Sequence, residues 1–215
     1  MTDRRIYVAC LASYNNGVLH GAWIYTEGKD ADDLQDEVNK ILRSSRYPNV
    51  EVDCPECEGE GGHFETMGLP ASVAGQFYTT PRQWVVCDCC KGSGKVSSAE
   101  EFAIHDHEGL GGRLGEYTSL REVAELDAML EEHGDAFLAF LEAFGVDEDQ
   151  WDKFEEAYYG QADSEKAFAE DFAVESGAIS ESSPMFGYID WEHYWNGELR
   201  HAFTIQNGYV FRSDW

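Results

Sequence analysis

"CPECEGEG" (Cys54–Gly61) returns 33 residues later as "CDCCKGSG" (Cys87–Gly94), and both follow Cys-x-x-Cys-x-Gly-x-Gly. A Cys-x-x-Cys turn presents two thiolates side by side, and two such turns supply the four soft ligands of a tetrahedral zinc ion. The glycines after each pair let the chain fold back and aim backbone N–H groups at the sulfurs, which steadies thiolate charge. The spacing therefore predicts one structural zinc per chain, held by Cys54, Cys57, Cys87 and Cys90 with no open coordination position. A redox dithiol is the competing reading, but that motif occurs singly, at the helix start of a thioredoxin-like unit, and no such unit is evident. Cys89 is a spare thiol inside the second knuckle, and Cys10 alternates with apolar residues as a core thiol would. The cysteine region interrupts a chain whose other parts read as mixed α and β.

The knuckles resemble the cysteine-rich region of J-domain chaperones, which carries four such repeats. This chain has two and lacks the His-Pro-Asp motif of a J domain, so the resemblance implies zinc binding only.

The chain has 215 residues, 43% hydrophobic and 13% aromatic, enough to bury a core. It lacks an apolar run of membrane-spanning length, and "MTDRRIYVACLASYNNG" turns polar too soon for a signal peptide; a cytoplasmic protein is expected. The formal net charge is -27, from 42 acids and 15 bases. Residues 1–53 carry a net -3, residues 54–98 a net -2 and residues 99–215 a net -22. Salt adaptation would spread acid over every surface, and the first half does not show it.

Upstream of the knuckles, "IYVACLA" and "VLHGAWIYT" read as two strands joined through Asn15-Asn16-Gly17. Asp30 caps a helix with Leu34, Val38, Ile41 and Leu42 on its apolar face, and Val50–Val52 begins an extended segment. Downstream, "EEFAIHDHEGLGG" reads as a strand ended by glycines. Short capped helices follow. "SLREVAELDAMLEEHG" has a Ser119-x-x-Glu122 capping box and stops at Gly134. "DAFLAFLEAFG" is capped by Asp135, "DEDQWDKFEEAYYG" by an Asp147-x-x-Gln150 box, and the next helix begins at Ser164. "YIDWEHYWNGEL" is a short helix, and "HAFTIQ" and "YVFRS" flank Asn207-Gly208, the strongest short hairpin signal.

No nucleophile elbow, phosphate loop or dinucleotide fingerprint occurs, and no enzyme is expected. His105 and His107 share a strand face in "IHDHEG", which reads as a polar strand end; a metal-dependent enzyme built on them is a weaker alternative.

The charge asymmetry asks for a use. Duplex DNA carries one negative charge per ~1.7 Å of axis, and a helix rising ~1.5 Å per residue with acids every third or fourth position approaches that density once neighbours contribute. A protein of this kind could occupy the phosphate-binding groove of an enzyme, and its charge argues against its binding nucleic acid itself. The candidate mimic surface comprises Glu122, Glu125, Glu131, Glu132, Asp147, Glu148, Asp149, Asp152, Glu155 and Glu156.

"IYVACLASYNNGVLHGAWI" (6–24), "AIHDHEGLGGRLGEYTSLREVAEL" (103–126), the helices to Gly177, "YIDWEHYWNGEL" and "YVFR" together resemble the ArdA antirestriction family. The resemblance spans nearly all of the chain outside about 52–98. It implies an elongated three-part α+β protein, carried on mobile genetic elements, that forms a homodimer and mimics bent B-form DNA. Its partner would be the methyltransferase core of type I restriction-modification enzymes. The cysteine segment departs from that family, so it reads as an insert whose metal replaces a missing core. The expected architecture is an N-terminal α+β domain of small antiparallel sheet and helix (1–53 and 99–117), the zinc-knuckle insert (54–98), a helical domain (118–161) and a C-terminal α+β domain with the hairpin (162–215). The rival function is a zinc-ribbon adaptor binding another protein, its acidic half serving only solubility.

Overall fold

Asp30 opens the first long helix as its sequence demands. Its carboxylate accepts from the Asp33 N–H (2.8 Å), Asp33 returns a bond to the Asp30 N–H, and α2 (Ala31–Arg43) buries Leu34, Val38 and Leu42. The computed structural model describes residues 3–67, 82–111, 114–145 and 147–215, in two units, 1–124 and 125–215. Helix α2 packs on an antiparallel sheet of order β2-β1-β7, formed by β1 (Arg5–Cys10), β2 (Gly21–Tyr25) and β7 (Phe102–Glu108). Alternation along β1 puts Ile6, Val8 and Cys10 fully inside. On the other face the Arg5 guanidinium lies 4.5 Å from the centre of the Trp23 ring. At Gly21 a Cβ would collide with the Val8 carbonyl, so the close pairing of β2 with β1 needs glycine there.

The link between β1 and β2 differs from the expected simple turn. The first strand ends at Cys10, and Leu11–Asn15 form a helical turn, α1. Local side chains take over there: the Asn16 amide donates to the Ala12 carbonyl (2.8 Å), and buried Ser13 meets Ser45 (2.9 Å). Such bonds compete with a strand ladder.

The cysteine segment leaves the sheet between α2 and β7. Strands β3 (Val50–Asp53) and β6 (Lys95–Ser98) pair as an antiparallel neck, with Ala99 N–H bonded to the Leu42 carbonyl (3.0 Å). Beyond the knuckles, β4 (Gly62–Thr66) and β5 (Arg82–Val86) make a second antiparallel pair; residues 68–81 lie outside the described residues.

Helix α3 (Leu120–His133) begins where Ser119 Oγ accepts from the Glu122 N–H (3.1 Å), and it buries Val123, Leu126 and Leu130. It runs from the first unit into the second. Helix α4 (Asp135–Phe144) is capped by Gly134 instead of Asp135, whose side chain falls one position too late, and it ends at Gly145 in the left-handed region. The Asp147 box does not form: the Asp147 side chain makes no cap bond, and residues 148–153 make a 3-10 helix before one α-turn, α5 (Phe154–Ala157). The buried residues there are Trp151, Phe154 and Ala157, spaced by three, which suits a three-residue turn better than an α-helix.

In the second unit, β8 (Tyr158–Gln161), β10 (Tyr209–Arg212) and β9 (Phe203–Gln206) form an antiparallel sheet in that order. The hairpin turns on Asn207 (φ 52°) and Gly208 (φ 82°), the two positive values that an Asn-Gly primed turn requires. Strand β8 departs from the expected helical run (118–161), at whose end it lies. Val210 and Phe211 are both fully buried, on opposite faces of the central strand β10. Val210 meets α6 (Glu165–Glu175) and α7 (Trp191–Gly197) through Phe168, Ala169, Trp191 and Trp195. Phe211 meets Phe140, Phe144, Phe154 and Tyr158 at centroid distances of 5.8–6.3 Å. The architecture is thus α+β, with small antiparallel sheets, seven α-helices among the described residues and a four-cysteine cluster.

Candidate metal centre and acidic faces

The two knuckles fold alike. In the first, Glu58, Glu60's neighbours Gly59 and Gly61 take positive φ (51°, 85° and 81°); in the second, Lys91, Gly92 and Gly94 do the same (53°, 91° and 71°). That path carries the Gly61 N–H to Cys57 Sγ (3.2 Å) and the Gly94 N–H to Cys90 Sγ (3.3 Å). The loops also interlock. A Cβ on Gly61 would meet the Gly92 carbonyl, and one on Gly94 the Gly59 carbonyl. Each loop passes where the other has no side chain. Two ladder-like bonds complete the joint, Cys54 N–H to Gly94 O and Cys87 N–H to Gly61 O, both 2.9 Å.

These turns bring the sulfurs of Cys54, Cys57, Cys87 and Cys90 within 4.8 Å of one another. Cys54 and Cys87 stand 3.8 Å apart, Cys57 and Cys90 3.7 Å. A disulfide needs ~2.05 Å, whereas a tetrahedral ion bonded at ~2.3 Å holds its sulfurs about 3.8 Å apart. The cluster is spaced to hold a metal ion. Cys89 is exposed and stands outside the four. Burial pushes the Cys90 thiol up, but the Gly94 and Gly92 N–H groups and the neighbouring thiols outweigh it and bring it down to about 6. Burial sends Cys57 the other way, up to about 12, with Cys90, Cys54 and Cys87 adding to it and the Gly61 N–H opposing.

Beyond the cluster, Phe64 and Trp84 sit opposite each other on the β4–β5 pair, edge to face at 4.9 Å. Both are exposed (62% and 41%), as is Val86.

His105 and His107 gather no third ligand among the described residues. His105 packs edge-on against Tyr14 (5.0 Å), and it is the residue of β7 left without a partner where the β1 register shifts between Tyr7 and Val8. Glu108 is engaged by the Arg5 guanidinium (2.6 Å).

Of the candidate mimic residues, Glu125, Glu131, Glu132, Asp147, Asp149, Asp152, Glu155 and Glu156 are exposed, and Glu122 and Glu148 are half-buried. Asp127 is buried at 2% on the apolar face of α3 and adds nothing to that surface. The acids of 147–157 flank a buried line of Trp151, Phe154 and Ala157, so a rigid aromatic base fixes where they emerge. In residues 125–215 there are 22 acids and four bases.

The sequence model of the antirestriction protein (ArdA) family matches residues 6–211. The chain belongs to the ArdA antirestriction family. No curated protein matches the sequence. The ArdA match runs from β1 to β10, so both units and the neck of the cysteine segment fall within its limits. No described helix is long and apolar enough to cross a membrane.

Proposed function

We propose that this ArdA-family chain inhibits type I restriction-modification enzymes by occupying the DNA groove of their methyltransferase core. The observation that carries this is the segment 147–157. Six residues of 3-10 helix at ~2.0 Å each and four of α-helix at ~1.5 Å make a rod of about 18 Å. It bears Glu148, Asp149, Asp152, Glu155 and Glu156, with Asp147 at its head. That is one carboxylate per ~3 Å of axis, close to the ~3.4 Å of duplex axis per phosphate of one DNA strand. Held on an aromatic core, these carboxylates lose little freedom on docking, unlike those of a floppy acidic tail. The chain acts as a homodimer, which doubles the charged track, and it performs no catalysis. It works in the cytoplasm, where its target is. The ion in the cysteine cluster is zinc, one per chain, held by Cys54, Cys57, Cys87 and Cys90 in a purely structural role.

The test is affinity for a type I methyltransferase across a salt series, with and without cognate DNA. Mimicry predicts affinity that falls steeply with salt and competition with DNA. Neutralising Asp147, Glu148, Asp149, Asp152, Glu155 and Glu156 together should abolish protection of unmodified DNA, whereas Asp152→Asn alone should barely matter, since one exposed ion pair contributes ~0–1 kcal/mol. Salt-independent binding that leaves DNA in place would rule the reading out.

One observation favours the second reading, an adaptor whose insert engages another protein: the exposed Phe64, Trp84 and Val86 of the β4–β5 pair. A chain lacking residues 54–98 separates the two. Mimicry keeps its inhibition, and the adaptor loses it.

A further inference from the structure

We propose that Glu132, His133 and Glu155 form a second metal site, distinct from the cysteine cluster, that takes a borderline divalent transition ion such as zinc, nickel or cobalt. Glu132 and His133 close α3, and Glu155 stands in the first turn of α5, both within the second unit. One ligand atom from each lies within 4.8 Å of the other two. Oxygen and nitrogen ligands sharing one ion at ~2.0–2.2 Å lie at most ~4.4 Å apart. Closing a gap of that size takes only rotamer adjustment by two exposed glutamates.

The histidine makes this more than a patch of surface acid. Its ring is half-buried, 4.4 Å from the Phe154 ring and 6.5 Å from Phe137, so the least mobile ligand is already fixed by packing. A ligand that arrives ordered loses little freedom on binding. Neither the Glu132 nor the Glu155 carboxylate has an ion-pair or hydrogen-bond partner among the described residues, and the nearest sequence cation, Lys153, is taken by Glu156 (3.3 Å). The partial negative charge at the end of α3 adds to the pull on a cation. One imidazole and two carboxylates suit a borderline ion. Calcium and magnesium prefer all-oxygen shells, and four thiolates suit a softer site. Three protein ligands leave positions for water. An ion there would tie the end of α3 to the start of α5, the two elements that flank the densest run of acids.

The test uses the full chain with one equivalent of zinc in the cysteine cluster, titrated with nickel(II) by calorimetry and with cobalt(II) by absorption. One further ion should bind, at micromolar concentration, with the weak visible absorption of a five- or six-coordinate oxygen and nitrogen shell and not the intense bands of a thiolate site. His133→Gln and Glu155→Gln should each weaken it at least ten-fold while the cysteine-bound zinc stays in place. Glu155→Gln alters only an exposed side chain, so it remains informative if His133→Gln misfolds. The proposal is overturned if no second ion binds below 100 µM added metal, if Glu155→Gln binds as tightly as the parent, or if calcium competes as well as nickel, which would mark diffuse binding to acidic surface.

Discussion

Between Cys54 and Ser98 the described chain buries three of its thiols and half-buries a fourth, with Val96 the one aliphatic side chain packed against them. Between Glu125 and Trp215 it buries Phe137, Phe140, Phe154, Phe168, Trp151, Trp191, Trp195, Phe203 and Phe211 under a surface rich in carboxylate. The first region has almost no apolar area to remove from water; in place of a core it has four cysteines spaced to hold a metal ion and glycines that let two loops pass within contact. The second has area in excess, and that excess tolerates a density of like charge that would open a weaker domain. One offers four thiols spaced to hold a metal ion where the other has aromatic burial. The two should fail under different insults.

Metal removal should separate them most. Free energies of ~10–16 kcal/mol accompany structural zinc in small metallodomains, where site formation and folding are one event. Chelation, or Cys54→Ser, is therefore expected to unfold the insert: the Phe64–Trp84 pair loses its near-ultraviolet signal, and protease cuts between residues 54 and 98. The second unit should keep its amide protection. Hydrogen exchange before and after chelation reads both, and loss of protection at β9 and β10 would show that the two regions are not independent.

The reciprocal insult is a cavity. Phe140 contacts Phe137, Phe144, Phe154, Phe211 and Trp215, and it is fully buried. Phe140→Ala should cost the second unit ~3–5 kcal/mol and leave metal affinity unchanged. Denaturant melts followed by tryptophan fluorescence, with a metal competition on the same sample, would check both halves of that statement.

Acid should act on the insert before the aromatic unit, and the thiols give the sign. Metal ions bind thiolates, so each proton still held must leave. Cys90, at about 6, is already ionised at pH 7.5; Cys57, at about 12, is not. Binding therefore releases at least the Cys57 proton throughout pH 7–9, and apparent metal affinity should rise at least ten-fold per pH unit. Below pH 6 the Cys90 proton joins it, and the dependence steepens. Competition with a chromophoric chelator at pH 7, 8 and 9 measures the slope; a flat profile would mean that no ligand thiol is still protonated in that range, Cys57 included.

Local signals with a strict geometric requirement could be read directly from the chain: the knuckles, the Asp30 cap, the Asn207-Gly208 turn. Each is a short pattern whose chemistry allows few other conformations. What stayed hidden depended on distant partners. Tyr158–Gln161 follow a helix-like run and become a strand because β10 offers an edge, with Tyr158 opposite Phe211. Glu132 and His133 come near Glu155 because the His133 ring at the end of α3 packs on the Phe154 ring of α5, and a separation of over 20 residues with no shared motif leaves no trace in the sequence. Asp127 sits at a core position of α3, where side-chain charge alone would have placed it outside. The cysteine cluster was legible because its ligands come in pairs, whereas the acidic faces were legible as composition without a surface.

The smallest expected effect distinguishes carboxylates and hydroxyls that serve the fold from those left to a partner. Ser164 and Asp147 both precede helical segments with sequence patterns that suggest caps. Ser164 Oγ accepts from the Ala167 N–H (3.1 Å) at the start of α6, while the Asp147 carboxylate accepts nothing from the 3-10 helix it precedes, whose Gln150 N–H goes to the Asp147 backbone carbonyl (2.9 Å). An N-cap hydroxyl contributes ~0.5–2 kcal/mol relative to alanine, so Ser164→Ala should lower the stability of the second unit by ~1 kcal/mol. Asp147→Ala should change it by less than ~0.5 kcal/mol, because that carboxylate is exposed and makes no cap. If it belongs to the DNA-mimicking rod, its removal should instead register as a small weakening of methyltransferase binding that is larger at low salt. Paired chemical melts and binding titrations on the two variants decide the matter. A stability loss for Asp147→Ala equal to that of Ser164→Ala would return Asp147 to the fold and shorten the acidic rod by one residue.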